Sequence, residues 1–141
     1  MPEPDVAFAQ LDRVGDERFQ SLRALLGMRS FGMNRIVLAP RQRGRIHAHE
    51  RHEEVYLVLE GELTLVIEAV DHVLGPDQAA RVGPAVRRQV VNAGAERVLL
   101  LALGGTGEHA GRDGQAWASW EDTGPGLPPL EVPARADLPT D

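Results

Sequence analysis

The sequence predicts an all-β fold, a barrel or sandwich of short strands. Three observations carry this expectation. Between residues 30 and 104, short runs rich in Val, Leu and Ile alternate with turn residues such as Gly61, Gly75-Pro76-Asp77 and Gly83-Pro84. The run Val98 to Leu103 is apolar at every position, as a strand covered on both faces must be. A chain of 141 residues suffices for one compact domain and is too short for two.

Taken in order, residues 1–29 read as an arm and a short helix, 30–104 as the barrel and 105–141 as an extension with a Pro-rich tail. The arm is polar, with Val6-Ala7-Phe8-Ala9 as a weak strand candidate. From Asp16 to Leu26, the residues Phe19, Leu22, Leu25 and Leu26 share one helical face. Asp16 is placed to cap that helix and Gly27 to end it, with a strand as the alternative. Ser30 to Leu38 alternates and stops at Ala39-Pro40. Arg41, Arg43 and Arg45 follow in a solvated loop, although Arg45 shares parity with His47 and His49 and can line a pocket mouth. Further strands are predicted at Arg45 to His49, Glu53 to Glu60, Glu62 to Glu68, Asp71 to Leu74, Ala79 to Val82, Arg88 to Asn92 and Arg97 to Leu103. Glu60-Gly61 reads as the tight turn of a hairpin between the second and third of these. Beyond Gly104 the chain turns loop-like, and five prolines from Gly124 onward leave a tail that lies over the barrel or stays disordered. Trp117 and Trp120 are its anchors.

Chemistry concentrates in the stretch His47-Ala-His49-Glu50-Arg51-His52-Glu53-Glu54. On a strand, alternate side chains point the same way, so His47 and His49 project to one side. If the strand opening at Glu54 pairs beside them, the three make the 2-His-1-carboxylate set that suits Fe(II), Mn or Zn. Tyr56 shares parity with Glu54, so its hydroxyl can act as a proton donor or substrate anchor. His52 falls in the turn and His72 in a short hairpin strand, and both are expected in solvent. His109 is a distant histidine able to close over the mouth.

At these residues the chain resembles the cupins, whose first motif is G-x5-H-x-H-x3,4-E-x6-G. His47, His49, Glu54 and Gly61 are in register, while Gly44 lies only three residues before His47. The second motif, G-x5-P-x-G-x2-H-x3-N, resembles Gly75 through Asn92 in degraded form. Arg88 stands where its histidine belongs, Asn92 keeps its place, and Gly83 and Ala85 occupy the proline and second-glycine positions. The resemblance implies a double-stranded β-helix, or jelly-roll barrel, with the site at its mouth. It also implies a small-molecule protein of the metal-cupin kind, in which His47, His49 and Glu54 hold Fe, Mn, Ni or Zn and the reaction is of oxygenase, isomerase or epimerase type. Arg88 then orients an anionic substrate group. The alternatives are a metal-free sensing pocket for a small acidic metabolite, with Arg88 paired to Glu54 in place of the ion, and a metal-free isomerase or cyclase using the histidines and Tyr56 as acid and base.

Composition narrows the partners. The basic residues are fifteen arginines with no lysine, which excludes Schiff-base chemistry, and the absence of cysteine excludes disulfides and thiolate ligation. A net charge of -6 argues against nucleic acid. The first residues lack a basic n-region and an apolar h-region, so a cytoplasmic protein with no membrane span is expected. Strands that are apolar on both faces predict a homodimer.

Overall fold

The computed structural model describes residues 4–105 and 114–139. Its strands are β1 (Phe19–Ser21), β2 (Gly32–Leu38), β3 (Ile46–His49), β4 (Glu53–Glu60), β5 (Leu63–Ile67), β6 (Val70–Leu74), β7 (Ala79–Val82), β8 (Arg88–Val91), β9 (Val98–Gly105) and β10 (Gly114–Trp117). They form two five-stranded antiparallel sheets, ordered β1-β2-β9-β4-β7 and β10-β3-β8-β5-β6, the jelly roll that was expected. The inner faces meet in a core that includes Ile36, Leu38, Val58, Leu63, Leu65 and Leu100. Each such fully buried side chain contributes about 1.5–3 kcal/mol of hydrophobic stabilisation. Among the described residues, no helix is long and apolar enough to cross a membrane.

One correction concerns how the sheets connect. Glu60-Gly61 does not turn a hairpin: β4 and β5 lie in different sheets, so Gly61 turns the corner between layers. Its φ is +78°, and a Cβ there would fall 2.3 Å from the Arg97 carbonyl oxygen, so only glycine fits. The tight hairpin lies one connection later, where β5 pairs with β6 and Glu68 and Ala69 both adopt positive φ. That two-residue turn lacks glycine, and the Arg87 backbone N–H and guanidinium donate to the Glu68 carboxylate at 2.9 and 3.0 Å to brace it.

The N-terminal region also departs from expectation. Val6 to Ala9 form no strand, and the helix from Asp16 shrinks to α1 (Leu22–Leu26), because Phe19–Ser21 pairs with β2. Ser21 rather than Asp16 caps it, its hydroxyl accepting from the Ala24 N–H at 3.1 Å, while Gly27 ends it in the left-handed conformation as expected. The preceding arm is bound to the outer face of the first sheet. Buried Arg35 donates to the Glu17 carbonyl at 3.0 Å, Arg97 donates to the Arg13 carbonyl and Arg13 pairs with Glu60 at 2.9 Å. Val37 and Leu99, neighbours on the face opposite the core, are thereby buried.

The C-terminal segment packs against the second sheet. β10 pairs with β3, and Trp117 joins Ile46 and Ala48 in a small second core with Trp120 against it. The Arg87 guanidinium lies 5.7 and 5.4 Å from the two indole rings. From Leu127 the tail returns past Ala116, makes a 3-10 turn at Pro129–Glu131 and buries Val132. It is tied to the loop before β3 where Arg45 donates to the Val132 carbonyl at 2.9 Å and Arg43 to the Ala136 carbonyl at 2.8 Å.

Candidate metal centre

His47 and His49 are carried by β3 and Glu54 by β4, which belong to opposite sheets. Glu54 therefore reaches the imidazoles across the sandwich, not from a laterally paired strand as its position in the sequence suggested. Its Oε1 lies 3.3 Å from His47 Nε2 and 3.2 Å from His49 Nε2, and one ligand atom from each of the three residues falls within 4.8 Å of the others. The two imidazoles stand edge to face, 5.3 Å between centroids.

Around these three, the partners are fixed by pairing register. Tyr56, two residues along β4, donates its hydroxyl proton to the same Glu54 oxygen at 2.6 Å. Arg88 is the cross-strand partner of His47 and is fully buried. Its Nη2 donates to the Gly83 carbonyl at 2.9 Å, and its Nη1 stands 3.5 Å from Glu54 Oε1. Ala85, at the motif's second-glycine position, adopts a φ of +66° and donates its N–H to the His49 carbonyl at 2.7 Å. The turn a glycine would make is thus kept by a strained alanine.

Burial alone would raise the Glu54 pKa, but hydrogen bonds from His47 and His49 and their charges more than reverse this, leaving it well below the usual carboxylate range. Tyr56 moves the other way. Burial and the adjacent Glu54 charge push its phenol well above the ordinary value, so it remains a donor to the carboxylate.

His47 Nδ1 lies 3.2 Å from the Arg45 carbonyl oxygen. A carbonyl can only accept, so Nδ1 carries a proton and Nε2 is the ring nitrogen aimed at Glu54. At 3.3 Å, Nε2 and the Glu54 oxygen share either a proton or a metal ion. Separations of 3.2–3.3 Å are also those of adjacent ligands on an ion with bonds of about 2.0–2.2 Å. The donor set fits a divalent transition metal.

Glu54 divides two cavities. One, of about 250 Å³, is lined by His47, Glu54, Tyr56 and Arg45 together with Arg18 and Arg135. The other, of about 280 Å³, is lined by His49, His52, Glu54 and Arg23. Arg45 thus lines the mouth, as its parity indicated. His52 corrects the expectation of exposure: it is 2 % accessible, with its ring 5.7 Å from that of His49, because the β3–β4 connection folds inward. His72 is exposed on β6. His109 lies outside the described residues. Arg18 and Arg135 gave no signal in the sequence, since each reaches the site from a segment remote from the motif.

The cupin domain family model matches residues 34–104, half of the chain. The chain is a cupin. Among solved structures, this cupin is similar to a sugar phosphate isomerase of the cupin superfamily from Silicibacter pomeroyi. The identity is 27 %, with 62 % of this chain and 58 % of that chain covered and a TM-score of 0.58. It is also similar to the TT1209 protein of Thermus thermophilus, at 27 % identity, 67 % and 90 % coverage and a TM-score of 0.57. The cupin domain of an XRE family transcriptional regulator from Enterobacter cloacae follows at 25 % identity, 62 % and 94 % coverage and a TM-score of 0.57. This chain spans less than two thirds of the isomerase's length. No curated protein matches it.

Proposed function

We propose that this cupin is a metal-dependent enzyme of isomerase type acting on a small anionic molecule, with His47, His49 and Glu54 as the metal ligands. One observation carries the reading: His47 Nε2 and His49 Nε2 converge on the same Glu54 oxygen at 3.3 and 3.2 Å, with the Arg45 carbonyl accepting from His47 Nδ1 so that Nε2 is the ligand atom. A carbonyl that accepts from the far nitrogen of a ligating imidazole fixes the ring's tautomer and orientation toward the metal. A divalent transition metal bound there supplies Lewis-acid polarisation of a substrate oxygen. The chain's own residues do the rest. Tyr56, held protonated, aims the Glu54 carboxylate, which makes it a positioning residue. Arg88 is not among the described residues lining either cavity and stands behind Glu54. Its charge makes the site more electropositive and so favours an anionic substrate. The isomerase type rests on the similarity to the sugar phosphate isomerase.

Arg88 also favours a second reading, a metal-free binding pocket. Its Nη1 at 3.5 Å from Glu54 Oε1 supplies positive charge where an ion's would be. Elemental analysis of protein purified without a nickel column separates the two. A stoichiometric transition metal, and a melting temperature that falls in chelator, are expected. No metal and an unchanged melting temperature leave the binding-module reading.

A further inference from the structure

The 250 Å³ cavity lined by Glu54 and Tyr56 is also lined by three arginines from three separate parts of the chain: Arg18 after the N-terminal arm, Arg45 before β3 and Arg135 in the tail. All three are half-buried. Among the described residues none of them pairs with a carboxylate. Arg18 donates to the Arg43 carbonyl at 3.4 Å, Arg45 to the Val132 carbonyl at 2.9 Å and Arg135 to the Ala118 carbonyl. A guanidinium has five N–H donors, so each keeps donors to spare after these contacts. The one carboxylate among the described lining residues is Glu54, already engaged by Tyr56 and Arg88. In a chain of net charge -6, and with Glu121 close enough to feel Arg135 but forming no ion pair with it among the described residues, this is a local concentration of positive charge. Its effect reaches Arg43 next door, whose pKa is lowered first by burial and then by Arg135, with Asp137 opposing.

The rest of the lining is mainly apolar. Phe19, Ile36, Val90, Ala102 and Ala134 form it, and Asn34 adds a polar group. A polyhydroxylated body would lose hydrogen bonds to water there that these side chains cannot replace. The volume equals that of about eight water molecules in the liquid, which limits the occupant to a metabolite of comparable size. We infer that this cavity takes a small organic acid with an apolar body, its oxyanion held by Arg18, Arg45 and Arg135 and its far end presented to Glu54 and His47. The inference deepens the proposed function by naming its substrate class, and it rests on that reading for the role of the far end.

Calorimetric titration of the full chain with hexanoate, inorganic phosphate and glucose 6-phosphate tests it. Hexanoate is expected to bind at least tenfold more tightly than either phosphate compound. Arg18→Gln and Arg135→Gln, on different segments, should each weaken hexanoate at least tenfold with unchanged far-ultraviolet circular dichroism. Absence of hexanoate binding, tighter binding of glucose 6-phosphate, or full affinity in both folded variants overturns the inference. Repeating the hexanoate titration in chelator keeps the two proposals apart. Retained, Arg-dependent binding in chelator upholds the acid site whatever elemental analysis of the purified protein says of the metal-enzyme reading.

Discussion

Arg88 sets the character of the site at the scale of single residues. A unit charge about 5 Å from a divalent ion is opposed by roughly 7 kcal/mol at an effective dielectric of 20, and Glu54 offsets only part of this. About a fifth of that repulsion already corresponds to a tenfold change in affinity. Arg88→His, which replaces the guanidinium by an imidazole at the register position of the second cupin motif, should therefore tighten metal binding at least tenfold by competition titration. Equal or weaker affinity would show that the guanidinium does not act on the ion. Tyr56 acts in the opposite sense. Removing a hydroxyl that orients a ligating carboxylate weakens metal sites by about 10–100-fold, so Tyr56→Phe should lose that much metal affinity while remaining folded. A tyrosine serving only as acid or base would leave affinity unchanged.

Among the elements, the β4–β5 corner is the least tolerant of substitution. Gly61→Ala places a methyl against the Arg97 carbonyl in a conformation alanine disfavours, and should destabilise the fold by about 1–3 kcal/mol in urea denaturation. The tail contributes through Trp117, which is 9 % accessible. Its truncation to alanine removes the centre of the small second core and should cost about 3–5 kcal/mol. What the sequence reveals of these elements follows from where the ordering forces lie. β4 and β7 match their expected limits because Val, Tyr and Leu runs and Gly-Pro breakers are local signals. β10 escapes notice because Gly114-Gln115-Ala116-Trp117 has little strand character of its own and is ordered by the exposed edge of β3. The site divides likewise. His47, His49 and Glu54 are legible from spacing, but the route by which Glu54 arrives depends on which sheet β4 joins. The burial of His52 depends on how a turn folds, and spacing specifies neither.

At the scale of the whole molecule, the N-terminal arm covers part of the first sheet and leaves the rest. Arg35 and Arg97 draw the arm over Val37 and Leu99, while Val55, Leu57, Leu101 and Leu103 further along the same face stay half-buried. Burying about 600 Å² per subunit there would give roughly 30 kcal/mol gross at 25 cal/mol per Å², against an association cost of about 4–15 kcal/mol. A two-fold homodimer is the expected state. Light scattering at micromolar concentration should return twice the 15.4 kDa of one chain, and a monomer mass would mean that the arm suffices.

The placement of both tryptophans in one short stretch of the C-terminal segment, each with its ring near the Arg87 guanidinium, has an optical consequence. Indole emission responds to charge and polarity at the ring, and here every fluorophore of that type reports on the same docked segment. Emission should shift when the segment lifts away while far-ultraviolet dichroism of the barrel holds steady. Because the same segment carries Arg135 to the acid cavity, ligand titrations can be followed in the protein's own fluorescence without a label.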